Sequence, residues 1–253
     1  MAKRWTLLGT VLAALLVGSA APAVAQPDIV GGQIATATYP WMVALLTDED
    51  TDSSAHYCGG ELIAAGWVLT AAHCVDENTA NHTVRIGSNN RNKGGTERGI
   101  VRALQHPDYD PTTGHNDIAL VQLQQLVPEN PVVLATATNW DNKTLRLFGW
   151  GQTCPTKGCD DGSDRLKRVD ATVTPAAKCR ADASMNFDSV HELCMNSTTK
   201  NTACYGDSGG PAINMATGRL VGVTSRGSLK CGDQDTLYTR VQPYRAWIKG
   251  YTG

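Results

Sequence analysis

Gly206-Asp207-Ser208-Gly209-Gly210-Pro211 is the stretch on which the reading of this chain turns. A serine hydroxyl is a poor nucleophile until a base removes its proton. Flanking glycines let the backbone turn tightly, so that consecutive N–H groups can converge on one point and stabilise a developing oxyanion. Alone, the stretch is equally compatible with a plain Gly-rich turn. Upstream, Asn116-Asp117-Ile118-Ala119-Leu120 opens one apolar strand, and Thr70-Ala71-Ala72-His73-Cys74 follows another. A single His is commonly structural, and a single Asp before a strand is commonly a turn residue. The three segments together, in the order His, Asp, Ser, are far harder to obtain by chance.

The surrounding chain reads as β structure. Its 253 residues allow one large domain or two small ones sharing an interface. A net charge of −2 argues against nucleic acid or an anionic membrane as the main partner. Gly is abundant and Val and Thr are frequent, and short apolar runs alternate with turn clusters. Trp41 to Leu46, Glu61 to Thr70, Thr83 to Gly87, Ile118 to Leu123, Thr144 to Gly149 and Arg219 to Ser225 are expected as strands. Asn89 to Gly95 and Cys154 to Asp164 read as exposed loops, and Pro243 to Lys249 as a C-terminal helix. Many short strands suggest a sandwich or barrels, with residues 130–139 crossing between two halves.

The first 25 residues have the layout of a secretory signal peptide: Lys3 and Arg4, an apolar run from Trp5 to Val17, then Ala23-Val24-Ala25 as a small-x-small cleavage site. The apolar run falls short of the about 20 residues that a membrane span needs, so the mature protein is expected to be secreted, with no membrane partner. Export gives meaning to eight cysteines: Cys58, Cys74, Cys154, Cys159, Cys179, Cys194, Cys204 and Cys231. An even count in an oxidising compartment reads as disulfides, in any of 105 pairings. No second tight Cys or His pair accompanies Cys154 and Cys159, which argues against zinc.

With these segments in place, the chain from Ile29 to about Ile248 resembles the trypsin/chymotrypsin family of serine endopeptidases. The order His, Asp, Ser matches that family and not the subtilisin-like or α/β-hydrolase orders. The resemblance implies an all-β fold of two six-stranded antiparallel Greek-key barrels. The active site would lie in the cleft between them, and a short helix would end the chain. It implies a signal peptide over 1–25, a short propeptide of microbial type over 26–28, and a peptidase domain over 29–253. The barrels would divide at about 135/136. Ser208 would attack the scissile carbonyl, His73 would act as base, Asp117 would orient His73, and the Gly206 and Ser208 N–H groups would form the oxyanion hole. Ser225 resembles the residue behind the triad aspartate.

The resemblance further implies Cys58–Cys74, Cys179–Cys194 and Cys204–Cys231 bridges, which leaves Cys154 to pair with Cys159. Ile29-Val30-Gly31-Gly32 resembles the processed N-terminus, whose ammonium would pair with Asp207. His56 matches the His of the vertebrate zymogen latch, while Ala44 stands where its Ser would be, so a weak latch is expected. Thr202 would form the base of the primary pocket, with Gly227 at its mouth and Thr236 narrowing it. No carboxylate at 202 implies a neutral side chain at the cleaved residue, chymotrypsin- or elastase-like. Asp233 and Asp235, expected to face solvent, keep a trypsin-like alternative open. Arg226 replaces the family's usual Trp, and its charge is expected to draw acidic or polar residues upstream of the cut. No cofactor or metal is expected: the loop where some relatives bind calcium, Gly87 to Glu97, lacks clustered carboxylates. Partners are expected to be protein or peptide substrates and protein inhibitors, for a monomer. A non-catalytic module on the same fold is the rival reading.

Overall fold

The computed structural model describes Met1 and residues 29–47 and 56–253, so the signal peptide expected over 1–25, apart from Met1, and the propeptide expected over 26–28 lie outside the described residues. After β1 (Gln33–Ile34), six strands close the first barrel. They are β2 (Met42–Leu46), β3 (His56–Ala64), β4 (Trp67–Thr70), β5 (Thr83–Ile86), β6 (Thr96–Gln105) and β7 (Ala119–Leu123), ordered β2-β3-β4-β7-β6-β5. A crossing strand, β8 (Val133–Leu134), leads to the second barrel. Its strands are β9 (Thr144–Gly149), β10 (Lys167–Thr174), β11 (Glu192–Met195), β12 (Pro211–Asn214), β13 (Arg219–Arg226) and β14 (Thr236–Arg240). They run β10-β11-β14-β13-β12-β9, and antiparallel pairing of β9 with β10 closes the ring. Helix α1 (Arg245–Thr252) ends the chain two residues beyond Pro243. This is the two-barrel all-β architecture expected from the sequence.

Three local features depart from the sequence reading. The run Glu61 to Thr70 is two strands: Ala65-Gly66 turns the chain, and β3 pairs back on β4 with Glu61 opposite Leu69. An uninterrupted apolar run hides a turn, because both arms of the hairpin are buried and neither shows polar punctuation. Strand β1 joins β10 of the second barrel, so the start of the chain is fastened to the half opposite its neighbours in sequence. In the otherwise exposed loop after β5, Arg91 turns inward and is 4% exposed; it donates to Asp161 O at 2.9 Å and reaches the Asp164 carboxylate at 3.3 Å.

Each barrel is filled mainly by aliphatic side chains from its strands. Leu45, Leu62, Leu69, Val84, Ile86 and Leu120 are wholly buried in the first, and Leu145, Leu147, Leu193 and Val221, with the aromatic Tyr238, fill the second. Each such aliphatic stabilises the fold by about 1.5–3 kcal/mol relative to exposure. Between the barrels, Tyr39, Trp41 and Phe148 form a tilted aromatic group with ring centroids 4.4 to 5.5 Å apart. Backbone groups join the halves directly: Gly59 N–H donates to Ser208 O at 2.7 Å. At Gly209, with φ +77°, a Cβ would lie 2.2 Å from Thr70 Oγ1 and 2.4 Å from Gly59 O. Only glycine permits this approach, and it presses the Ser208 turn against the first barrel. No helix among the described residues is long and apolar enough to cross a membrane.

Candidate active site

His73 sits in a single 3-10 turn, Ala72–Cys74, just beyond β4, and the Cys58–Cys74 disulfide ties that turn to β3. Asp117 lies just before β7, after Asn116, whose φ of +54° bends the chain there. The two meet side by side: Asp117 Oδ2 is 2.8 Å from His73 Nδ1, and Oδ1 accepts the His73 backbone N–H at 2.9 Å. From the second barrel, Ser225 Oγ donates to Asp117 Oδ2 at 2.6 Å, and Thr239 Oγ1 donates to the Asp117 backbone oxygen at 2.8 Å. Asp117 is 2% exposed. Burial by itself would raise its carboxyl pKa, but the hydrogen bonds from His73 and Ser225 outweigh burial and hold it below the ordinary value.

Ser208 and His73 line one cavity of about 340 Å³, with Tyr205, Arg226, Gly227 and Thr236 among its other walls. Among the described residues no hydrogen bond joins Ser208 to the His73 ring, whose Nε2 lies 3.8 Å from Cys74 Sγ. Such bonds are often long in unliganded sites and tighten only around substrate. The N–H groups of Gly206 and Ser208 have no partner among the described residues, and Gly206 has φ +91°, a conformation that favours glycine. Backbone donors of this kind, where they converge beside a nucleophile, stabilise a developing oxyanion.

Asp207 points the other way, into the second barrel. It is 1% exposed, and its carboxylate accepts N–H bonds from Gly151 and Cys204, each at 2.8 Å. Burial dominates these two bonds and pushes its pKa up to about 7. Among the described residues no cation pairs with it. Ile29 is wholly buried in the core of the same barrel, with φ +44°, while Val30 O accepts from Thr202 N–H at 3.1 Å. A β-branched residue at positive φ is a strained conformation. At Gly31 a Cβ would lie 1.5 Å from Lys200 O, so only glycine lets the chain thread this gap. His56 is held neutral, its pKa lowered to about 3 by burial and then by the Arg91 charge, and its Nε2 has no hydrogen-bond partner among the described residues.

The two threonines read as pocket residues occupy different places. Thr202 is wholly buried behind the floor, with its hydroxyl in a chain: Thr202 Oγ1 to Thr236 Oγ1 at 3.0 Å, and Thr236 Oγ1 to Ser197 Oγ at 3.0 Å. Thr236, not Thr202, lines the cavity. Gly227 and Thr236 both line the cavity, and a Cβ built on Gly227 would stand in ordinary contact with Thr236, 3.5 Å from Oγ1 and 3.6 Å from Cγ2. The Cys204–Cys231 disulfide stands beside it, and Cys154–Cys159 and Cys179–Cys194 complete the bridges. Asp233 is exposed, 3.6 Å from Lys230. Asp235 corrects its expected exposure: it is wholly buried and pairs with Arg180, accepting also from the Arg180 and Ser197 backbone N–H groups.

Arg226 also corrects its expectation. Its guanidinium makes a two-point pair with the buried Glu192, at 2.7 and 3.1 Å, so its charge is neutralised inside the protein instead of being offered to substrate. No local motif marks Thr239, Ser197, Arg180 or Glu192 as parts of this region. Their partners lie 17 to 122 positions away, a separation no local motif reports.

Two closed barrels with Ser, His and buried Asp side chains gathered in the cleft between them define the class of molecule. Comparison with known proteins narrows it. The Trypsin family model matches residues 29–248. Human kallikrein-8 is 33% identical over 268 residues, covering 100% of this chain and 96% of the relative. A trypsin from Phaedon cochleariae is 33% identical, covering 89% and 88%. The serine protease SP24D of Anopheles gambiae is 34% identical, covering 87% and 80%. The chain belongs to the trypsin family of serine endopeptidases.

Proposed function

We propose that this protein is an exported endopeptidase that cleaves peptide bonds after small to medium neutral residues, through an acyl-enzyme on Ser208. His73 takes the Ser208 proton as the hydroxyl attacks, and returns it to the leaving amine. Asp117 holds the His73 ring with Nδ1 protonated and stabilises the imidazolium. The Gly206 and Ser208 N–H groups receive the oxyanion, and each such donor lowers the barrier by about 2.7–4 kcal/mol. The observation that carries this reading is the 2.8 Å Asp117–His73 contact, backed by Ser225 and opening on the cavity that Ser208 lines. Four disulfides and the apolar leader support export to an oxidising compartment, where the enzyme meets protein substrates and protein inhibitors as a monomer. The trimmed protein should be labelled at Ser208 by a phosphonofluoridate in one-to-one ratio. No labelling would instead favour a non-catalytic module.

The neutral preference rests on Thr236 and on the absence of a carboxylate from the cavity walls among the described residues. A buried Lys or Arg side chain needs such a partner. Thr236→Gly should enlarge the cavity and raise kcat/KM for aromatic over small residues at the cleaved position about tenfold. Preferred cleavage after Lys or Arg in a mixed peptide library would overturn this assignment in favour of a trypsin-like one.

Activation follows from Asp207. Removing residues 26–28 frees the Ile29 amine beside a pocket that already holds its side chain. The new ammonium supplies the cation that the buried Asp207 lacks, and cutting the chain frees Ile29 from its φ restriction. No Ser partner for His56 exists at Ala44, so the precursor has a weak latch and keeps measurable activity.

A further inference from the structure

We propose that Arg226 is a specificity-determining residue that closes the upstream end of the cleft and restricts it to small side chains. The inference rests on the catalytic reading above, with substrate adding as a strand alongside β13. Arg226 lies on that strand between Ser225, which reaches Asp117, and Gly227, at the pocket mouth. Where a flat aromatic would leave an open apolar shelf, the guanidinium reaches across the cleft. Its Nη1 donates to Gly114 O of the first barrel at 3.0 Å. Its Nε and Nη2 donate to Met185 O of the second at 2.9 and 2.7 Å, and Nη2 reaches Asn186 O at 3.3 Å. Nη1 also donates to Ser225 Oγ at 3.3 Å, and the Glu192 carboxylate takes the two remaining hydrogen bonds and the charge.

Independent contacts close the same gap. His115 Nε2 lies 2.6 Å from Asn186 O, joining the two loops directly. Gly114, at φ +75°, packs flat on the arginine: a Cβ there would be 3.0 Å from Arg226 Cδ and Nε. The loop therefore rests on the guanidinium plane with no room for a side chain between them. A fork saturated with acceptors and paired with a buried carboxylate neither attracts an acidic substrate residue nor moves aside at low cost. It acts as a wall.

The test uses peptide amides identical except for Ala or Phe two residues upstream of the cleaved bond, with rates normalised to Ser208 titrated by phosphonofluoridate. The trimmed parent should favour Ala, and Arg226→Ala should move the kcat/KM ratio toward Phe by about 10–100-fold, mainly through KM. If Arg226→Ala fails to fold because Glu192 is left unpaired, the double variant Arg226→Ala with Glu192→Gln removes that charge and should show the same shift. A parent that cleaves both peptides alike, or a ratio unchanged in a titratable variant, overturns the assignment. Ser208→Ala separates the two readings. If it is inert while the ratio stays fixed, only the Arg226 proposal fails; if it cleaves like the parent, the catalytic reading fails.

Discussion

Asp117 and Asp207 are both buried carboxylates, yet they sit in opposite electrostatic states. Asp117, at the seam of the barrels, accepts from the His73 ring, the His73 N–H and the Ser225 hydroxyl, and its pKa is held low. Asp207, inside the second barrel, accepts two backbone N–H bonds among the described residues, and burial lifts it to about 7. Burial is common to both, so the donors decide the outcome. The first site is electrostatically complete within the folded chain. The second has no cationic partner among the described residues, and the activation proposed above would supply one.

The largest expected effect tests the complete site. Asp117→Asn should keep the geometry but lose the tautomer control of His73, lowering kcat by about 10⁴-fold, the magnitude carried over from the well-studied triad of this family. Stopped assays on titrated enzyme would measure it, and a loss below tenfold would break the contrast.

The next tests the incomplete site, and its sign is opposite to that of Asp117. A carboxyl held low stabilises the fold above its unfolded pKa, and that contribution is lost as pH falls. A carboxyl raised from 3.8 to about 7 favours the fold when protonated, and that contribution is lost as pH rises between those values. The uncut Ser208→Ala precursor should therefore lose up to about 4 kcal/mol relative to its Asp207→Asn counterpart between pH 4 and pH 8. Denaturant melts across that range would show it. The trimmed protein, with the Ile29 ammonium in place, should not show the loss; equal pH profiles for cut and uncut chains would refute the account.

A smaller effect sharpens the comparison from the side of Asp117. Ser225→Ala removes one donor to the charged carboxylate and should destabilise the fold by about 2 kcal/mol at neutral pH. The same change should raise the Asp117 pKa, read by NMR titration, toward the partner-poor state of Asp207. A melt and titration indistinguishable from the parent would show that the donor count does not set the state of Asp117.

The architecture was legible because strand alternation, turn chemistry and the three chemistry-bearing segments are local patterns. Trp41 to Leu46 and Thr144 to Gly149 announce themselves as short apolar runs, and both became strands nearly as read. Strand β6 escaped because it is largely exposed, with four charged or glutamine side chains along it, and β3 and β4 merged because both are buried. In the site, the nucleophile turn and its partners were readable as segments. The destinations of Asp235 and Arg226 were not, because a charge on or beside a strand looks the same whether it meets water or a partner from another loop.

What the sequence by itself determined is therefore the two-barrel scaffold and the choice of chemical groups. What only the tertiary structure decided is how those groups are paired. It set which hydroxyl lines the pocket, which carboxylate is held low by donors and which is raised by burial, and which partner takes the Arg226 charge. The physical reason is range. Propensity and periodicity act over a few residues, whereas desolvation and hydrogen bonding of a buried polar group depend on atoms brought together from strands 34 to 122 positions apart.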